Sequence, residues 1–182
     1  MDRVDRVKRL ERLLKSEKER EKADAAVVIL LKKKKCDFEI LFVKRAVNPI
    51  DPWSGEMAFP GGRSDHNDRD IKNTIVRETF EETGIDLLHR CRFLGTIEFF
   101  RSTRNHEMKI LPFIVIIEHE PSIVLNKELV WSEWISLENL IQHETVTRID
   151  SKEVSAFIME NCIIWGLTYR ILKRFIYIVK SI

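Results

Sequence analysis

The sequence lacks the features that mark a disulfide scaffold, a zinc site, a membrane span or a nucleic-acid surface. Its three cysteines, Cys36, Cys91 and Cys162, are odd in number and far apart, which suits neither a disulfide framework nor CxxC metal spacing. A reducing cytoplasm is the expected setting. No apolar stretch reaches the ~18 uninterrupted residues of a membrane span. The greasiest segment, Phe157 to Val179, is broken by Glu160, Asn161, Arg170, Lys173 and Arg174 and reads as a partly buried helix. Residues 1–22 hold no apolar run and many acids, so no secretion signal is expected there. Charge of one sign is also missing: 31 Lys plus Arg against 29 Asp plus Glu leave +2, too near balance to argue for a nucleic-acid partner.

What is present is material for one globular domain. The 182 residues are 44% hydrophobic and 33% charged, too apolar for intrinsic disorder. A chain this long buries roughly 70% of its extended surface on folding and needs no staple. Residues 2–22 read as a charged helix with a narrow stripe of Val4, Val7, Leu10, Leu13 and Leu14. That stripe packs on its own domain or, alternatively, forms a homodimer contact. AAVVILL from Ala25 and FEILFVK from Phe38 predict two strands around a polar KKKKCD turn.

A long loop, VNPIDPWSGEMAFPGGRSDHND, follows, broken by Pro49, Pro52 and Pro60 yet carrying Trp53, Met57 and Phe59 as if ordered. Asp70 is placed to cap a helix running to Thr83, with Ile71, Ile75, Val76 and Phe80 as its apolar side and Gly84 just past its end. Further strands are expected at Phe93–Phe100, Lys109–Ile117 and ELVWSEWISL, then a helix containing IIWGLTYRILKRF. Strands on both sides of one central helix predict a layered α/β or α+β domain.

The chemistry concentrates in Arg77-Glu78-Thr79-Phe80-Glu81-Glu82-Thr83-Gly84-Ile85. On a helix, Glu78, Glu81 and Glu82 share one side of the last turns. Two carboxylates ~4 Å apart repel by ~4 kcal/mol at an effective dielectric of ~20, and the negative end of the helix dipole worsens their position. A hard divalent cation, Mg²⁺ or Mn²⁺, would reverse that sign. A merely acidic helix end is the plain alternative. Pro60-Gly61-Gly62 lies one loop upstream, where missing side chains let backbone approach a metal or a phosphate.

At these residues the sequence resembles the Nudix hydrolases, whose box reads G-x5-E-x7-REUxEExGU with U apolar. Arg77, Glu78, Glu81, Glu82, Gly84 and Ile85 match, and Phe59 to Gly62 form the FPGG typical of the family. Gly62 to Arg77 is one residue longer than the box, Asp68 or Asp70 must stand at the upstream acidic position, and Thr79 fills an apolar slot. The expansion with an aspartate is expected in the coenzyme A diphosphatase branch, as are Leu41–Ala46 (LLTxRS), Ile110–Phe113 and Ile164–Thr168 (WGxT). Asp51-Pro52-Trp53-Ser54-Gly55-Glu56 departs from that branch's RxHxGQ, keeping only the glycine and reversing charge at the arginine position.

The resemblance implies an α/β/α sandwich with a mixed sheet over residues 23–182, preceded by the 1–22 helix. It implies metal-assisted hydrolysis of a nucleoside diphosphate linked to a group X, with coenzyme A or an acyl derivative as first substrate. ADP-ribose, NADH or a damaged nucleotide is the second reading, and a non-catalytic nucleotide-binding module the third. Glu78, Glu81 and Glu82, with Gly61, would hold Mg²⁺ or Mn²⁺. Arg77 would orient the glutamates, and Arg45, Gly62 and Arg63 would meet substrate. The general base is open between Glu78 and a carboxylate beyond the box, Glu98, Glu107 or Glu128. The Arg101–His106 segment is a weaker site element with an equally good reading as a solvated loop, while His66 reads better as an idle loop residue and the Trp131/Trp134 pair better as core than as a base-stacking site.

Overall fold

The computed structural model describes residues 3–15, 23–34, 37–51, 53–102 and 105–182, with side chains from Arg6 onward in the first stretch. Cys36, Pro52 and Arg104 lie outside the described residues, as do residues 16–22. The sheet is built on the most apolar runs of the chain. Strand β1 (Ala25–Lys34) pairs antiparallel with β2 (Asp37–Arg45) and parallel with β7 (Lys109–Ile117), so the sheet is mixed. Short β3 (Met57–Ala58) lies on β2, β4 (Gly61–Arg63) on β1, β5 (Cys91–Thr96) and β6 (Phe100–Arg101) on β7, and β8 (Leu129–Ser136) on β2.

Alternation along these strands divides the core into two layers. Val28, Leu30, Leu41, Phe113 and Val115 face α2 (Ile71–Thr83), where Ile75 is fully buried. Ile29, Leu31, Ile40, Phe42, Ile114 and Ile116 face α4 (Gly166–Lys180) through Ile171, Leu172 and Phe175. Helices on both faces of a mixed sheet are the expected α/β/α sandwich. No helix among the described residues is long and apolar enough to cross a membrane.

Several elements differ from the sequence reading. Helix α1 is Arg3–Leu13 and stops before Lys15, which exchanges two backbone hydrogen bonds with Thr96, at 2.9 and 3.1 Å, and so joins the sheet edge; the 16–22 part of the expected helix lies outside the described residues. Its Val7 and Leu10 are buried in the core beside α4, while Leu13 is 52% exposed; the Val4 side chain lies outside the described residues. Lys32–Lys34 belong to β1, where Lys32 and Lys34 both pair with Glu39 across the hairpin. Phe80 lies outside the apolar face of α2 and is exposed; Thr74, Thr79 and Thr83 are buried in its place. The expected Phe157–Val179 helix is the end of one strand, a turn, a second short strand and then a helix. A separate three-stranded sheet, β9 (Glu144–Ile149), β10 (Lys152–Met159) and β11 (Cys162–Ile164), follows α3 (Leu137–Gln142), and α4 starts only at Gly166.

Candidate active site

Helix α2 is held at both ends by groups the sequence supplies locally. The Asp70 side chain accepts from Asn73 N–H at 2.8 Å, and Gly84, at φ 72°, donates back to Phe80 O at 2.8 Å. Two further C-terminal carbonyls are met by the chain before β8: Val124 N–H bonds Thr83 O at 2.9 Å and Asn126 N–H bonds Glu82 O at 3.1 Å. Asn126 Oδ1 also accepts Glu128 N–H at 2.9 Å. The segment that closes the helix therefore also fixes Glu128.

The other wall is the FPGG segment. Gly61 sits at φ 144°, and a Cβ there would lie 2.2 Å from Ala26 O, so only glycine lets β4 lie against β1. At Gly62 a Cβ would fall 2.4 Å from the Glu78 carboxylate. The missing side chain is what admits Glu78 to the floor of the site. Gly61 N–H donates to Glu82 Oε2 at 2.8 Å.

These pieces border a cavity of about 320 Å³ lined by Arg45, Glu78, Glu82 and Glu128, with Trp53, Met57 and Leu167 among its apolar walls. Burial raises the pKa of Glu82 to about 7, opposed by the Gly61 N–H and by Arg45 and reinforced by Glu78 and Glu128. Glu78 is also raised, by burial first, against the hydrogen bond and charge of Arg77. Carboxyls whose pKa is raised by burial and by neighbouring acids are hard oxygen donors short of positive charge, and such donors fit Mg²⁺ or Mn²⁺.

Arg77 organises the carboxylates from outside the cavity. Its Nε and Nη2 donate to Asp68 at 3.0 and 2.9 Å, and Nη1 donates to Glu78 at 2.8 Å and to Glu81 at 3.2 Å. Asp68 thus takes the upstream acidic position, while Asp70 is spent as the cap.

The NUDIX domain model matches residues 21–157. The chain belongs to the NUDIX domain family. An uncharacterized protein of Schizosaccharomyces pombe, C14C4.10c, is 34% identical over 116 residues, covering 60% of this chain and 35% of that protein. The peroxisomal coenzyme A diphosphatase ndx-8 of Caenorhabditis elegans is 30% identical over 132 residues, covering 70% of this chain and 55% of that protein. The chain spans 35% to 55% of the length of these two curated relatives. A MutT/nudix family protein from Enterococcus faecalis has the same fold, with a TM-score of 0.56 at 17% identity over 99% of this chain and 75% of that one.

In this Nudix domain the structure brings Arg45, Gly61, Gly62, Arg63, Glu78 and Glu82 to one cavity. It does not bring Glu81 there. Its side chain, 55% exposed, shares Arg77 Nη1 with Glu78, and among the described residues no three acidic, His or Cys side chains form a ready metal cage. The helical spacing predicts all three carboxylates together; the shared arginine nitrogen keeps Glu81 beside Glu78, while Glu82 alone of the other two lines the cavity with Glu78. Of the acids beyond the box, Glu128 lines the cavity, whereas Glu98 pairs with Arg174 and Glu107 is exposed. His66 pairs with Asp65 in solvent and Arg101 with His106 O, both outside the cavity. Trp131 packs on the core and Trp134 lies under Lys32; the tryptophan in the cavity wall is Trp53. Glu56, also in the lining, stands where RxHxGQ has its glutamine and is not among the expected site residues.

Proposed function

We propose that this Nudix chain is a Mg²⁺- or Mn²⁺-dependent diphosphatase that hydrolyses the P–O–P linkage of a nucleoside diphosphate joined to a second group, with coenzyme A or an acyl-coenzyme A as first substrate. The observation that carries the reading is the meeting of Glu78, Glu82 and Glu128 in one cavity with Arg45. Glu78 and Glu82, with Glu81 beside Glu78 on the shared Arg77 nitrogen, would hold the cation, which neutralises diphosphate charge and acidifies water when bound. Arg77 orients Glu78 and Glu81, and Gly61 N–H orients Glu82. Glu128 or Glu78 takes the proton of the attacking water, Glu128 being a cavity carboxylate outside the Glu78–Glu82 set that Arg77 does not touch.

Two observations support coenzyme A: the name of the nematode relative, and the WGxT helix start, where Thr168 Oγ1 donates to Met57 O at 3.0 Å and seats α4 on the cavity wall. The 51–56 loop favours a wider range of ADP conjugates, ADP-ribose and NADH among them, because Asp51 stands where that branch has an arginine. A reducing compartment, the cytoplasm first, is part of the proposal; Cys91 and Cys162 are free thiols.

The test is mass spectrometry of products from a diphosphate panel with Mg²⁺, Mn²⁺ or EDTA in H₂¹⁸O. Metal-dependent cleavage with ¹⁸O in one phosphoryl product is expected. A panel left intact with either metal overturns the reading.

A further inference from the structure

The loop between β2 and β3 is organised around one carboxylate. Asp51 Oδ2 accepts Arg45 Nε–H at 2.8 Å, and Asp51 Oδ1 accepts Trp53 backbone N–H at 3.0 Å. Arg45 and Trp53 both line the cavity; Asp51 stands behind them, its side chain 15% exposed. The loop also bonds to itself, Ser54 N–H to Asp51 O at 3.1 Å and Asn48 N–H to Ser54 Oγ at 2.7 Å, and closes on β2 through Arg45 N–H to Glu56 O at 3.1 Å. The β2–β8 register shifts at Lys44/Arg45, a bulge that re-aims the end of the strand.

We propose, resting on the diphosphate-pocket reading above, that Asp51 is a positioning residue that fixes the Arg45 guanidinium as a phosphate contact of the cavity. The lining carries four carboxylates, Glu56, Glu78, Glu82 and Glu128, against Arg45 and Arg63. An untethered Arg45 would swing onto those acids and neutralise them before any substrate arrived. Asp51 competes for it with a short charge-assisted bond at Nε, which sets the plane of the guanidinium and lowers the entropy lost when it meets a phosphate. The same carboxylate ties Trp53 to Arg45, so the apolar wall and the cation are set as a unit. The acid at position 51 thus serves the cation already in the pocket, and it does not act by repelling a substrate phosphate.

The experiment is calorimetric binding of ADP in saturating Mg²⁺ to the full chain, Asp51→Asn, Arg45→Lys and the double variant. Asparagine keeps a carbonyl oxygen for Trp53 N–H and loses the charged acceptor facing Nε. Loss of one charge-assisted contact predicts about tenfold weaker ADP binding for Asp51→Asn, and less than about twofold further loss when it is added to Arg45→Lys. Should Asp51→Asn not fold, Asp51→Ser, whose hydroxyl also accepts from Trp53 N–H, replaces it in the same cycle. Unchanged ADP affinity in the single variant, equal penalties in both backgrounds, or no ADP binding by the unaltered chain overturns the proposal. Because binding is read, failure to cleave any diphosphate would remove the hydrolase reading and leave this one intact.

Discussion

Asp68 and Arg77 are joined by two parallel hydrogen bonds, at 3.0 and 2.9 Å, and the same guanidinium reaches Glu78 and Glu81 from its remaining nitrogen. The geometry of the box glutamates is therefore inherited from a residue nine positions upstream of Arg77. Arg77 holds the Asp68 carboxyl well below the usual carboxylate range. A depressed pKa in the folded state adds stability that is complete above the ordinary value near 3.8 and disappears as pH falls through the folded value. Asp68→Asn should cost ~1.5–3 kcal/mol at neutral pH, the worth of a charged hydrogen-bond pair. Urea unfolding at pH 7 and near pH 2 checks it, with the gap between the two proteins narrowing in acid.

The adjacent glycines should fail in different ways when replaced by alanine. Gly61→Ala drives a Cβ into Ala26 O, rigid backbone at 2.2 Å, at a φ of 144° that side chains avoid. Gly62→Ala meets only the end of the Glu78 side chain, which can rotate away. The first change should lower the melting temperature sharply. The second should leave circular dichroism and melting near those of the unaltered protein while abolishing turnover of any substrate found in the panel. Equal losses of stability in both would show that Glu78 is as immovable as the backbone.

The parts readable from the sequence are those whose signals are local. Asp70 and Gly84 bracket α2 within one stretch, and the runs that became β1, β2 and β7 are too apolar to be anything but buried. The β9–β10 hairpin escaped because its strand ETVTRI is mostly exposed and its turn runs through Asp150 and Ser151 at positive φ, with no glycine to mark it. In the site, the spacing of Glu78 and Glu82 is helical arithmetic. The exposure of Glu81, the arrival of Glu128 and the bond from Asp51 to Arg45 depend on residues brought together by the fold, which no window of sequence contains.

Helix α1 lies apart from the box yet belongs to the core. Leu10 is fully buried and Val7 nearly so, packed beside α4. Leu10→Ala should cost ~2–5 kcal/mol through lost burial and the cavity left behind. Turnover per folded molecule should remain, since no α1 residue among the described residues lines the cavity. Paired denaturation and active-site titration separate the two effects; a well-folded Leu10→Ala protein with no activity would show that α1 shapes the substrate pocket.

Glu82 combines deep burial with two acidic neighbours, and its pKa of about 7 gives the metal-free protein a pH dependence opposite to that of Asp68. The folded state keeps a proton that the unfolded chain releases near pH 4.5, so stability must fall as pH rises from there through about 7. The shift corresponds to ~3 kcal/mol across that window. Glu82→Gln removes the ionisation, keeps an oxygen for Gly61 N–H, and should flatten this part of the profile in EDTA. A cation bound to the carboxylates acts in the other direction. Mg²⁺ or Mn²⁺ should stabilise the protein by ~2.7 kcal/mol at a hundredfold excess over its dissociation constant, and at one fixed metal concentration by more at pH 8 than at pH 5.5. In Glu82→Gln that response should weaken and turnover nearly vanish. Urea midpoints at the two pH values, with EDTA or metal, measure both effects, and a Glu82→Gln protein with unchanged activity would remove the metal assignment.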